Sequence, residues 1–333
     1  MTLWSHWILR ALVVQLMGAV AVIGAAGSVH ASTLTSQQLL MQSLAGQTSA
    51  HIFGLSPESI STIPAEQTEA AQLGHELNII NLFVDFKTSA ATFSSRLTSA
   101  SAGGAVPEIT WMPCSFVEGC SASHDTFPLL SIAAGKYDSY IKSVAAAAKA
   151  FGQPVVLRFA HEMNGSWYPW GDHVNGNSPT QYVAAWKHVH DIFAAAKATN
   201  VYWFWSPNKE GHSLSSWYPG NSYTNFVGVD GYNGPQYSSS SMTPSQIFGG
   251  SLAQLNTFSG KPIIIGEVGC VEGSSSFPVN KAAWITNFVS LLAHTPHAVG
   301  FVWSEFNSTK KIDTTPAAQA AMKSALAKSW VSS

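Results

Sequence analysis

Pro154-Val-Val-Leu-Arg-Phe-Ala-His-Glu162 is a mainly apolar, β-branched and aromatic run that ends on a carboxylate. Its pattern is that of a strand with both faces covered. An irregular segment follows, Met163-Asn-Gly-Ser-Trp-Tyr-Pro-Trp170, broken by Gly165, Pro169 and Gly171. Seven more short runs read the same way: His51–Leu55, Asn78–Phe86, Glu108–Met112, Val201–Ser206, Phe226–Tyr232, Pro262–Val268 and Ala298–Ser304. Gln153-Pro154 and Lys261-Pro262 mark two strand entries. Ala-rich helical stretches lie between most of the runs, at Tyr137–Phe151, Pro179–Thr199, Pro244–Phe258, Val279–Ala293 and Pro316–Ser329. Pro179, Pro244 and Pro316 stand where first-turn prolines belong. Eight strands alternating with helices predict an α/β fold of the (β/α)8 barrel type. The rival is an open doubly wound sheet, whose nucleotide-binding form needs a glycine-rich loop after the first strand; none is present.

The chain has 333 residues, 46% of them hydrophobic, which suits a single large domain with a sizeable core. Only 10% of residues are charged and the net charge is −2, without a basic stripe. Nucleic acid and polybasic membrane binding are excluded as partners. Residues 1–31 read as a signal peptide. Arg10 closes a short n-region, Ala11 to Ala26 is nearly all apolar, and Val29-His30-Ala31 offers small residues before Ser32. The alternative is a retained anchor, but the stretch falls short of the ~20 apolar residues of a span. The expected organisation is therefore a leader followed by one catalytic domain, 32–333, secreted to the outside or the periplasm, with a monomer as the default. Export implies an oxidising compartment. Of three cysteines, Cys114 and Cys120 are close enough for a local bridge, and Cys270 is left over.

A barrel puts its chemistry at the C-terminal ends of its strands. Glu162 ends the fourth expected strand and Glu267, in Pro262-Ile-Ile-Ile-Gly-Glu-Val-Gly-Cys270, ends the seventh. These two strands face each other across the mouth. A carboxyl group after an apolar run is costly unless partnered or used. Two of them flanking a glycosidic bond can work as general acid/base and nucleophile, ~5.5 Å apart in a retaining enzyme. The structural alternative is a pair of ion-paired glutamates. A zinc-protease reading of His161-Glu162 fails, because its second histidine would have to stand at Gly165. The twelve histidines show no metal-ligand spacing, so neither metal nor other cofactor is expected.

Twelve tryptophans is a high count, although Trp4 and Trp7 belong to the leader. Flat indoles bury the C–H faces of sugars at low entropy cost. Trp167, Trp170, Trp205 and Trp303 are the candidate platforms, with core packing as the alternative for each. Tyr232 would hydrogen-bond Glu267 and keep it ionised. Arg158, two alternations before Glu162, is a candidate charge partner inside the barrel. Alternation points His161 outward, so its use requires a bulge at the strand end. Asn208, after Trp205-Ser-Pro, either bonds sugar hydroxyls or caps a loop.

From about His51 to Ala327 these runs resemble glycoside hydrolase family 26. The likeness is carried by His161-Glu-Met-Asn-Gly-Ser-Trp-Tyr-Pro-Trp170, Trp205-Ser-Pro-Asn208, Asp230-Gly-Tyr-Asn233 and Gly266-Glu-Val-Gly269. The resemblance implies a retaining (β/α)8 glycosidase acting on a polysaccharide, with Glu162 as acid/base and Glu267 as nucleophile. It also implies that His161, Trp167, Tyr232 and Trp303 shape the subsite of the attacked sugar. The family acts chiefly on β-1,4-mannan by endo cleavage; some members cut mixed-linkage β-1,3-1,4-glucan or β-1,3-xylan. Many of its mannanases carry a Trp-Phe-Trp-Trp type run after the acid. Trp167-Tyr-Pro-Trp170 resembles the glucan-cleaving or the uncharacterised branch at least as much, and Cys114–Cys120 looks like an insertion near the cleft. A barrel that binds sugar without cutting it is the non-enzymatic alternative.

Overall fold

The computed structural model describes residues 35–44, 51–209, 213–306 and 308–328. Eight parallel strands close in chain order: β1 (Ile52–Ser56), β2 (Ile79–Asp85), β3 (Val106–Met112), β4 (Val155–Phe159), β5 (Val201–Trp205), β6 (Phe226–Asn233), β7 (Ile263–Cys270) and β8 (Ala298–Ser304). β1 pairs with β8 from Ile52 opposite Gly300 to Ser56 opposite Ser304, which removes both sheet edges. The expected barrel is present, with one boundary that matters for the site. β4 stops at Phe159, three residues short of Glu162, and the backbone then turns.

The helices are α1 (Ser36–Leu44), α2 (Ile63–Gln72), α3 (Ala90–Ala100), α4 (Leu129–Ala133), α5 (Asp138–Phe151), α6 (Pro179–Ala195), α7 (Pro244–Phe258), α8 (Lys281–Ala293) and α9 (Pro316–Ala327). The three prolines open α6, α7 and α9 as their first residue, where a missing N–H loses nothing. Thr243 and Gln246 form a reciprocal cap at α7: each side chain accepts the other's backbone N–H, at 3.2 and 2.8 Å. Between β5 and β6 the described residues hold only two short 3-10 turns, Leu214–Trp217 and Asn221–Tyr223. Trp217 there packs edge-on against Tyr182 of α6, covering the strands where a helix would otherwise lie.

Alternation along the strands makes two cores. One lies between barrel and helices and holds most of the large side chains, including Trp111, Trp186, Trp205 and Trp303. The other fills the N-terminal end of the barrel with Ile52, Ile79, Val106, Val156, Phe226 and Ile264, and Leu40 of α1 closes it from below. The barrel interior is thus sealed at one end, and any opening is at the other. The sequence read as a leader, residues 1–31, lies outside the described residues. No described helix is long and apolar enough to cross a membrane.

Candidate active site

At the C-terminal end the inward positions turn polar. Ser56 of β1 accepts from Asn81 Nδ2 of β2 at 3.2 Å, and Asn81 Oδ1 accepts from Thr110 Oγ1 of β3 at 2.7 Å. Thr110 Oγ1 in turn accepts from Arg158 Nε and an Arg158 terminal nitrogen, at 2.9 and 2.7 Å. Arg158 is fully buried on β4 and also donates to Asp230 Oδ2 (2.9 Å) and Glu267 Oε1 (2.6 Å). Ser206 Oγ donates to the other Asp230 oxygen at 2.6 Å. Gly266 makes this packing possible. A Cβ there would lie 2.5 Å from Asp230 Oδ1 and 2.9 Å from the Arg158 guanidinium, closer than side-chain carbons approach such atoms.

Glu162 is delivered by an irregular turn. Ala160 and Glu162 both have left-handed backbone, with φ of 44° and 53°, a conformation that persists only where the surroundings enforce it. The enforcement is visible: the Ala160 N–H donates to Trp111 O at 3.0 Å and the Glu162 N–H to Ser206 O at 2.9 Å. These two turns replace the bulge that simple alternation requires to bring His161 inward. Asn208 Nδ2 donates to Glu162 Oε1 at 2.6 Å and Trp167 Nε1 to Oε2 at 2.8 Å. Trp167 rests against Gly165, where a Cβ would come within 2.3 Å of the indole. The residue that rules out a zinc motif is therefore also the seat of the tryptophan that holds Glu162. Across the mouth, β6 and β7 shift register between Val229 and Asp230 and set Asp230 opposite Glu267. Tyr232 donates its hydroxyl to Glu267 Oε2.

The two glutamates are driven apart in acidity. Burial pushes Glu162 up, and the charge of Glu267 pushes it further, to about 7, against the two donors that favour its ionised form. Burial acts on Glu267 too, but the Arg158 guanidinium outweighs it. With the hydroxyl of Tyr232 and the Arg158 hydrogen bond, it holds Glu267 below the ordinary range. Arg158 faces three acids with one charge. Glu108 lies 3.3 Å from its Nε without a hydrogen bond, and burial pushes that carboxyl to about 7. Glu267, with the shortest contact to the guanidinium, keeps the negative charge. His161 Nε2 stands 3.7 Å from Glu267 Oε1, but burial and then Arg158 push its pKa down to about 3. It is a neutral imidazole in contact with the carboxylate, not an ion-pair partner.

Both glutamates line one cleft of about 1220 Å³. Trp167, Asn208 and Tyr232 line it with them. Five other residues expected to bind substrate do not. Trp303 and Trp205 are fully buried on the helix side of their strands; the Trp303 N–H is taken by Lys310 O at 2.9 Å, and Trp205 packs edge-on against Tyr218. Trp170 is buried, donates to His161 O at 2.8 Å and stacks on Tyr168, so it steadies the turn rather than a sugar. Arg158 is a charge partner beneath the cleft. His161 sits below the surface, between Phe83 and Tyr168. In a strand covered on both sides, half of the residues face the helices, and a tryptophan there is core.

Other side chains supply the walls. Phe116 and Phe306, 46% and 52% exposed, stand in the cleft with Phe83, Tyr168 and Tyr237. Phe116 lies within the loop closed by the Cys114–Cys120 disulfide, whose Cα atoms are 5.3 Å apart; Cys270 is buried and free. The Cys114–Cys120 spacing was the signal that could have pointed to Phe116. Lys310 had no such signal. Its ammonium lies 4.1 Å from the centre of the Tyr232 ring and donates to Tyr237 Oη at 3.0 Å, so it orients the phenol that bonds Glu267.

Residues 129–288 match the family described as glycosyl hydrolase family 26. "Endoglucanase H" of Acetivibrio thermocellus is 32% identical over 269 residues, covering 76% of this chain and 28% of that protein. "Mannan endo-1,4-beta-mannosidase" of Bacillus subtilis is 29% identical over 131 residues, covering 38% of this chain and 33% of that protein. The chain thus spans a third or less of the length of these curated relatives. Among solved structures, a modular endo-beta-1,4-mannanase from Cellulomonas fimi aligns over 89% of this chain and 75% of its own, with a TM-score of 0.66 at 19% identity. The catalytic domain of a Bacillus sp. JAMB-750 endo-beta-1,4-mannanase aligns over 90% and 91%, also at 0.66, with 17% identity. At that identity the likeness is one of fold.

Proposed function

The chain belongs to glycosyl hydrolase family 26, and from that premise we propose that it is a secreted, monomeric endo-β-glycanase that hydrolyses β-1,4 bonds of β-mannan with retention. One observation carries the reading. Two carboxyl groups line a single aromatic cleft, one held protonated near neutrality and the other held ionised. In the first step Glu267 Oε attacks the anomeric carbon while Glu162 gives its proton to the departing glycosidic oxygen, leaving a glycosyl ester on Glu267. Ester formation removes the charge that helps to keep Glu162 protonated. Its pKa then falls, and the carboxylate it has become takes a proton from water. That water attacks the anomeric carbon and frees Glu267. The coupling between the two acids thereby converts an acid into a base at the right step.

No metal or organic cofactor enters these steps. The rate requires Glu267 ionised and Glu162 protonated together. The kcat/KM profile should therefore fall above about pH 7, as Glu162 loses its proton, and hold on the acid side to below the ordinary carboxylate range. Mixed-linkage β-1,3-1,4-glucan is the second substrate reading. It is favoured by the relative named an endoglucanase, which matches three quarters of the chain, although that name belongs to a much longer protein. Reducing-sugar release from galactomannan, glucomannan, barley β-glucan and β-1,3-xylan, side by side, tests the substrate. NMR of the first product tests the mechanism: the β anomer should appear before mutarotation, and an α anomer first would overturn retention. Stoichiometric sugar binding with no release would favour a binding barrel instead.

A further inference from the structure

Three glutamates lie together beside the cleft and take no part in the reaction above. Glu66 and Glu69 are three residues apart, on one face of α2, and Glu305 directly follows β8. One carboxylate oxygen from each lies within 4.8 Å of the other two. All three are buried, Glu305 completely. None of them forms an ion pair among the described residues. Hydrogen bonds are missing as well. Glu305 Oε1 accepts from the Ile312 N–H at 3.1 Å, but Glu305 Oε2 and Glu69 Oε1 are buried with no donor. Lys281, a buried neighbour, is committed elsewhere: its ammonium donates to the carbonyls of Lys310 and Lys311 and to Thr314 Oγ1.

A buried carboxyl group is paired, bound to a cation or kept neutral by a proton, because an isolated charge away from water is too costly to keep. Of these, a cation is what three converging carboxyl oxygens would hold in common. Oxygens at 2.3–2.6 Å from one Ca²⁺ ion can be no more than about 5 Å apart, so the observed spacing fits a single ion touched by all three residues. A donor set of carboxylate oxygens, with neither imidazole nor thiolate, suits a hard cation rather than zinc or copper. We propose that Glu66, Glu69 and Glu305 hold one Ca²⁺ ion that fastens α2 to the end of β8. The position gives the ion a purpose. Ser59, Ile60 and Ser61, which lead into α2, line the cleft, as does Phe306, the residue after Glu305. One ion thus ties together two segments that line the substrate cleft.

The test uses the full folded chain, stripped with EDTA and then given CaCl₂ alone. Metal analysis of the refilled protein should find about one Ca²⁺ per chain. The thermal midpoint should fall on stripping and recover by about 5 °C when Ca²⁺ is a hundredfold above its Kd. MgCl₂, which demands tighter octahedral geometry and keeps its waters, should restore less. Glu305→Gln should abolish the response; Glu66→Gln, on the α2 side of the cluster, should do the same if the first variant does not fold. A wild-type chain that carries no Ca²⁺ and ignores both EDTA and CaCl₂ overturns the proposal. A Glu69→Gln variant more stable than wild type in EDTA would then mark the cluster as a shared-proton site. These readouts are metal content and stability, so they stand apart from the roles assigned to Glu162 and Glu267.

Discussion

The two ends of the barrel interior are made by the same strands and are opposite in chemistry. At the N-terminal end Ile52, Ile79, Val106, Val156 and Ile264 pack as a sealed apolar plug. A few residues further along those strands stand Ser56, Asn81, Thr110, Arg158 and Glu267, joined by hydrogen bonds from β1 to β7. The plug stabilises the fold by removing apolar area from water, roughly 1.5–3 kcal/mol for each large side chain. The polar layer is not an efficient source of stability, since desolvating buried ion pairs offsets most of their attraction. What it does is set one positive charge among several acids, with its shortest contact on Glu267 beneath the cleft. Stability and acidity are built at different heights of one barrel.

That contrast can be broken experimentally. The largest effect is expected from Glu267→Gln at the polar end, with kcat lowered by at least about 10⁴-fold and the thermal midpoint little changed. Reducing-sugar assays with circular dichroism check it, and near-normal turnover would remove Glu267 from its role. Arg158→Met should cost about 3–5 kcal/mol in urea unfolding, because it strands Glu267 and Asp230 without a partner. Loss of the guanidinium also raises the pKa of Glu267, so the acid limb of kcat/KM should move to higher pH. Ile264→Ala, at the apolar end, should lose about 2–4 kcal/mol to a cavity and leave both limbs where they are. If Ile264→Ala shifted the profile as Arg158→Met does, the two ends would not be separable. The smallest effect belongs to Trp167→Phe, which removes a donor from the ionised form of Glu162. The pKa of Glu162 then rises above about 7, and the basic limb moves up with roughly a tenfold loss of rate.

Much of this was legible in the chain itself. The eight apolar runs and the prolines of α6, α7 and α9 are local signals, and local signals survive in the fold because burial on both faces and helix initiation depend on near neighbours. The ends of the elements were harder. β4 was read through to Glu162, but it stops at Phe159, because hydrogen bonds to Trp111 O and Ser206 O hold the backbone in left-handed turns that no propensity encodes. Trp303 and Trp205 were misjudged for a related reason. Composition marks a tryptophan as a good sugar platform or a good core residue, and only the direction of its Cβ decides which.

By itself, then, the sequence determined the barrel, the two glutamates and their addresses near the ends of strands four and seven, since periodicity and an acid after an apolar run can be read along one dimension. The tertiary structure decided everything that depends on residues far apart in the chain. Arg158 meets Asp230 and Glu267 across separations of 72 and 109 residues. Lys310 reaches Tyr237 across 73, and Glu305 is brought to the face of α2. Those meetings set which carboxyl holds a proton, which aromatic rings stand in the cleft and where unpaired acids collect. Coulomb energy and desolvation depend on distance through space, and distance along the chain does not report it.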